Sequence, residues 1–174
     1  MNVFLTGDVQ VGKSTAIRRF LEESNIAVCG FRTCLNRENY QLNMEIIGKE
    51  GSENLLVAER KTEGGFPVPD IGAFDQGGRL LKEIDLTGTA MLLMDELGYM
   101  ERNALEFRGA VAELLDSGIP VVGVLRNRPE GPFWEMIHEH PETVLLTVTE
   151  ENRDQMPQII ASYFPELTGR KAGA

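Results

Sequence analysis

The chain has 174 residues, 42% hydrophobic and 25% charged, with 17 Lys and Arg against 27 Asp and Glu for a net charge of −10. That length suits one domain able to bury roughly two-thirds of its unfolded surface. The acidic balance opposes tight binding to nucleic acid or anionic lipid, which need clustered Lys and Arg, and no apolar run approaches the roughly 20 residues of a membrane span.

In chain order, NVFLT (2–6) is an apolar run ending at Gly7, the pattern of a buried parallel strand. STAIRRFLEE follows, with Ile17, Phe20 and Leu21 on one helical face, and IAVCGFRT (26–33) reads as a second strand. YQLNMEII and NLLVAER are two short strands across the turn GKEGSE. The Gly- and Pro-rich stretch 62–78 predicts a surface loop passing into a short helix near GGRLLKEID. TAMLLMDELG is an apolar strand ending in acids, and NALEFRGAVAELLDSG a helix with apolar Leu105, Ala112 and Leu115 and a stop at Gly118. IPVVGVL is a buried strand, GPFWEMIHEH a short helix with Pro132 near its start, and ETVLLTVT the last strand. EENRDQMPQIIASYFPEL is the last helix, with Pro157 inside it. Strands alternating with helices predict a three-layer α/β sandwich on a mostly parallel sheet, with a small antiparallel insertion at 36–65. One domain spans 1–165, and 166–174 is expected to be a flexible tail.

Residues 7–14, GDVQVGKS, match G-x-x-x-x-G-K-[ST] at every fixed position. Gly7 and Gly12 permit torsions a side chain would forbid, so the amides of Asp8, Val9, Gln10 and Val11 can turn inward around an anion. A helix starting near Lys13 aims its N-terminal dipole at the same place. Lys13 brings a cation to the β- and γ-phosphates, Ser14 an oxygen to Mg²⁺, and Thr15 a hydroxyl to the α-phosphate. The strand MLLMDELG then delivers Asp95 beside the strand of this loop as a metal ligand. Glu96 is placed to orient or deprotonate an attacking water. Phosphoryl transfer also needs positive charge on the γ-phosphate, for which Arg126 and Arg128 in LRNRPEG are candidates. In TEENRD, Thr149 reads as a helix cap with Asn152 at the third position. His138 and His140 point to different faces of a helix and make no metal pair, and Trp134 reads as a packing residue.

With GDVQVGKST, GFRT, LLMDELGYME and TVTEENRD in this order, the chain resembles the cancer-related nucleoside-triphosphatase family, small P-loop NTPases also known from thermophiles. The resemblance covers about 1–165 and is weakest over 36–90. It implies the P-loop NTPase sandwich and a Mg²⁺-dependent enzyme that slowly hydrolyses ATP, GTP and other nucleotides. By this likeness the nucleotide is held by Gly7 through Thr15 and by the segment Leu92, Leu93, Met94, Asp95, Glu96, Leu97 and Gly98, with Ser14 and Asp95 on the metal. Lys13, Glu96 and Arg128 are the catalytic residues it implies, Arg128 ranking above Arg126, and Asn152 and Arg153 flank the base or the phosphates. One departure is Tyr99, where many members carry lysine after DEIG; Arg102 or Arg128 are the substitutes at hand.

Two other readings share the loop: a nucleotide or small-molecule kinase, and a nucleotide-dependent binding module. The insertion has Arg37 and Arg60 but no arginine cluster of the kind a kinase lid carries. The expected ligands are nucleoside triphosphates, without nucleic acid or membrane. Cys29 and Cys34 have neither a metal nor a redox spacing. Two reduced cysteines and no secretory leader pattern at the N-terminus predict a cytoplasmic protein.

Overall fold

The computed structural model describes residues 1–128 and 130–169. The chain runs β1 (Asn2–Gly7), α1 (Lys13–Ser24), β2 (Val28–Asn36), β3 (Gln41–Gly48), β4 (Gly51–Arg60), β5 (Pro67–Pro69), α2 (Ile71–Glu83), β6 (Met91–Leu97), α3 (Leu105–Leu115), β7 (Val121–Leu125), α4 (Pro132–Glu139), β8 (Thr143–Val148), α5 (Met156–Tyr163) and α6 (Pro165–Thr168). The eight strands form one sheet in the order β5-β4-β3-β2-β6-β7-β1-β8. From β2 to β8 across that order every pairing is parallel, and from β2 to β5 every pairing is antiparallel.

The central parallel strands β1, β6 and β7 are largely apolar runs because both faces are covered. Along β1, Val3 and Leu5 face a layer closed by Ile17 and Phe20 of α1 and Ile160 of α5. Phe4 faces the opposite layer, where Leu81 of α2, Phe107 of α3 and Ile137 of α4 close the core. The alternation repeats on β6, with Met91 and Leu93 in the first layer and Leu92 and Met94 in the second. Phe107 is the hub of that second layer, with Phe31 at 5.1 Å, Phe74 at 5.9 Å and Phe133 at 6.0 Å between ring centroids.

Three elements depart from the sequence reading. The loop expected over 62–78 contains β5 and most of α2, which starts at Ile71 behind the cap Asp70, whose carboxylate accepts from the Ala73 amide at 3.0 Å. Gly77 and Gly78 lie inside α2 rather than at its start, where they are contact points: a Cβ on Gly78 would stand 2.5 Å from the Phe107 backbone of α3. The last long helix starts at Met156, with Pro157 in its first turn where no amide bond is lost, and Glu150–Gln155 forms turns. Of the tail expected over 166–174, residues 166–168 belong to a helical turn that begins at Pro165, and 170–174 lie outside the described residues. Among the described residues no helix is long and apolar enough to cross a membrane.

Candidate active site

The C-terminal ends of β1, β6, β7 and β8 bring the loop, the acidic pair and two further segments to one edge of the sheet. Gly7 leaves β1 at φ 132°, and a Cβ there would lie 2.4 Å from the Val148 carbonyl oxygen of β8, so the chain departs only as glycine. The loop continues through Gln10 at φ 65° to Gly12 at φ 112°, which caps α1. Lys13 is buried, and its Nζ donates to the carbonyl oxygens of Gly7 at 2.9 Å and Asp8 at 2.7 Å, lacing the loop to its own helix. Burial lowers the proton affinity of Lys13, and the nearby Glu96 acts in the opposite direction.

Across the site, Ser14 Oγ donates to Asp95 Oδ1 at 2.9 Å. The sequence reading sets Asp95 beside the loop's own strand, but β7 stands between β6 and β1, and the first turn of α1 reaches over it to make this contact. Burial pushes the Asp95 carboxyl up to about 6, against the opposing pull of the Ser14 hydrogen bond. Glu96 follows across a cis peptide bond, its amide donating to Thr33 Oγ1 at 3.3 Å. Its carboxylate pairs with Arg126 Nε at 3.3 Å. Beyond it, the Gly98 amide donates to the buried Glu101 carboxylate, whose proton affinity is raised by burial. The Arg126 amide donates to the Leu97 carbonyl at 2.9 Å, and a Cβ on Gly98 would stand 3.1 Å from Arg126 Cβ. Arg126 is therefore packed into the acidic segment.

Arg128 stands elsewhere. Its guanidinium carbon lies 5.2 Å from the Tyr99 ring centre, and that of Arg102 lies 3.6 Å from the same ring. Tyr99 thus gathers both arginines named as substitutes for the lysine, while Arg126 reaches Glu96. Leu92, Leu93 and Met94 are buried in the two apolar layers, so they position Asp95 from beneath and present no side chain to the site. Asn152 donates to the Thr147 carbonyl at 2.9 Å and accepts from the Thr149 amide at 2.8 Å, while its own amide donates to Thr149 Oγ1 at 3.3 Å. This reciprocal cap commits Asn152 to the turn. Arg153 approaches the loop, with its Cδ 3.8 Å from where a Cβ on Gly12 would lie. Asp8, Val9 and Gln10 are exposed at the loop's rim, and Thr15 is exposed on the first turn of α1.

An open cleft of about 410 Å³ adjoins the loop, lined by Gly7–Val11 on one side and by Asn127, Thr147, Val148, Thr149 and Glu150 on the other. The motif reading does not single out Asn127; it takes Thr149 only as a helix cap, and Thr147 and Glu150 only as members of TVTEENRD, without a place in the site. The signal for a cleft role is their position, since they follow or end β7 and β8 at the edge where parallel α/β sheets bind ligands.

A sequence model of the family described as NTPase matches residues 2–161. The chain belongs to this NTPase family. Its curated relatives include the nucleoside-triphosphatase THEP1 of Methanopyrus kandleri, 30% identical with 95% of this chain and 96% of that protein covered. The nucleoside-triphosphatase THEP1 of Natranaerobius thermophilus is 28% identical over 95% and 97%. Two solved structures share the NTPase fold. THEP1 from Aquifex aeolicus superposes with a TM-score of 0.75 at 22% identity, covering 94% of this chain and 98% of that one. A human cancer-related nucleoside triphosphatase superposes with a TM-score of 0.71 at 25% identity, covering 98% and 99%. The chain is thus a nucleoside-triphosphatase by family.

Proposed function

We propose that this NTPase cleaves the γ-phosphate of ATP, GTP and other nucleoside triphosphates, with Mg²⁺, to release the diphosphate and phosphate. The observation that carries this reading is the 2.9 Å contact of Ser14 with Asp95, which places a hydroxyl and a buried carboxylate together beside the phosphate loop and directly before Glu96.

Two hard oxygen donors of this kind suit Mg²⁺, which takes one or two protein oxygens and completes its shell with phosphate and water. The Asp95 carboxyl held near 6 is an acid that burial leaves short of positive charge, the condition a divalent cation relieves. Bound there by Ser14 and Asp95, Mg²⁺ would neutralise charge on the β- and γ-phosphates.

The loop amides and Lys13 hold the triphosphate, Lys13 exchanging its two carbonyl partners for phosphate oxygens. Glu96 accepts a proton from a water as the water oxygen forms its bond to the γ-phosphorus. The bond from that phosphorus to the β–γ bridging oxygen breaks, and its electron pair leaves with the diphosphate. Arg126, paired with Glu96, stands where it aims that carboxylate, and it takes the place beside the acidic pair that the family likeness gives to Arg128. Arg153 lies over the start of α1 as a further phosphate contact, and Asn152 acts on the nucleotide only by shaping the cleft wall. The exposed free thiol of Cys34 supports a reducing, cytoplasmic setting.

A phosphate-release panel over the common NTPs and dNTPs, with Mg²⁺ or with EDTA, tests the proposal. Release is expected with Mg²⁺ and without any acceptor, and Lys13→Ala and Glu96→Gln should each lower it by at least about a hundredfold. Release that survives both substitutions would remove the mechanism. Release that appears only with an added phosphoryl acceptor would make the protein a kinase.

A further inference from the structure

We infer that Arg37, at the tip of the β2–β3 hairpin, is a second cation for the γ-phosphate, delivered within the same chain. The inference rests on the hydrolysis proposed above and adds a residue to it.

The strand β2 pairs with β6 as far as Arg32 opposite Asp95, then continues four residues past that pairing to Asn36. At about 3.3 Å per residue, the hairpin tip stands roughly 13 Å beyond the edge of the sheet where Asp95 emerges. The tip is braced by its own side chains and by one from the end of β4. Asn36 Oδ1 accepts from the Glu38 amide at 2.9 Å, Asn39 Oδ1 accepts from the Gln41 amide at 3.1 Å, and the Arg60 guanidinium lies 3.4 Å over the Tyr40 ring. From this turn Arg37 reaches the middle of the phosphate loop. With its amide oxygen turned toward the hairpin, Gln10 accepts from Arg37 Nη2 at 2.6 Å and from Nη1 at 3.3 Å.

Which phosphate this guanidinium meets follows from the flank it comes from. The 410 Å³ cleft that suits base and ribose lies between the loop and β8. The other flank, toward β6, holds Asp95 and Glu96, so the end of the triphosphate that reacts lies there. The hairpin enters from that same flank. The chain carries a net charge of −10, yet among the described residues Arg37 forms no ion pair and rests on a neutral amide. Arg32 and Arg126, by contrast, hold carboxylates. A planar fork exchanging a neutral amide for a phosphate gains two charge-assisted hydrogen bonds and breaks no ion pair.

The test measures phosphate release, ATP and ADP affinity by a fluorescent-nucleotide competition assay, and thermal melting, for wild type, Arg37→Ala and Arg37→Lys. Arg37→Ala should lower kcat by roughly tenfold to a hundredfold, less than an arginine finger acting alone because Lys13 and Arg126 remain. It should weaken ATP but leave ADP affinity and melting unchanged, since ADP has no γ-phosphate, and Arg37→Lys should restore only part of the rate. An unchanged kcat, or equal weakening of ATP and ADP, would overturn the assignment. Mixing Lys13→Ala with Arg37→Ala should recover no activity; recovery would mean that the residue acts between chains and not within one. If wild type releases no phosphate from any nucleotide, the hydrolase reading fails, and the ATP–ADP contrast still decides whether Arg37 meets the terminal phosphate.

Discussion

Lys13 and Asp95 are a base and an acid that burial weakens from opposite sides, lowering proton affinity in one and raising it in the other. For Asp95 the consequence for stability has a definite sign. An acid whose folded pKa, about 6, lies above its ordinary value of 3.8 binds more protons folded than unfolded between those limits. Its contribution is present in full below the lower value and is lost as pH rises through the upper one, on the order of 2–3 kcal/mol. In EDTA, Asp95→Asn should therefore melt above wild type at pH 8, converge with it near pH 4, and fail to hydrolyse nucleotide. A lower melting temperature for the variant at pH 8 would contradict this. At this scale the sequence shows which residue types react but not how neighbours are paired. The loop and the acids Asp95 and Glu96 stand out because a short motif carries its own chemistry. Arg126 and Arg128 are two residues apart on one segment, and only the packing of Arg126 against Gly98 decides which of them faces Glu96.

The helix α2 is the element that local rules misjudge. Glycine in a helix interior costs about 1 kcal/mol relative to alanine, so a Gly-Gly pair reads as a break. Tertiary contact overrides this where α2 crosses α3, and the two glycines differ in what they meet. A Cβ on Gly78 would press on the Phe107 backbone at 2.5 Å, whereas one on Gly77 would meet the Met44 sulfur at 2.8 Å, the movable end of a flexible chain. Gly78→Ala should destabilise by roughly 1–3 kcal/mol, and Gly77→Ala should stay within about 1 kcal/mol of wild type. Chemical denaturation of both variants checks the contrast, and equal effects would refute it. Pro157 misleads for the opposite reason: its helix starts one residue earlier, where a proline is welcome. What signals the true start of α2 is Asp70, a cap hidden within a Pro- and Gly-rich stretch.

The three-layer α/β architecture is legible from the alternation of apolar runs and helical stretches, because strands covered on both faces must be apolar throughout. Strand order is not legible, since it depends on which runs lie side by side. Charge acts at this same scale. A chain with net charge −10 repels itself when compact, and salt screens that repulsion. Raising monovalent salt from about 10 mM to about 200 mM at pH 8 should lift the melting temperature by roughly 2–4 °C, the response to about 1 kcal/mol in a protein of this size. A fall would show that specific surface ion pairs outweigh the global field.

The place of β7 has a bearing on how the site tolerates change. Neither the loop nor the acidic pair belongs to it, yet it sets the span that α1 must bridge, about two strand spacings or roughly 9.6 Å. Gly123 at its centre leaves room for nothing larger, since a Cβ would fall 2.5 Å from the Phe4 ring and 2.7 Å from the Met94 carbonyl oxygen. The strand thus works as a spacer gauge between the loop proposed to grip phosphate and the acidic pair proposed to cut it, and on that reading an inherited change there would detune the enzyme while leaving every proposed reactive group in place.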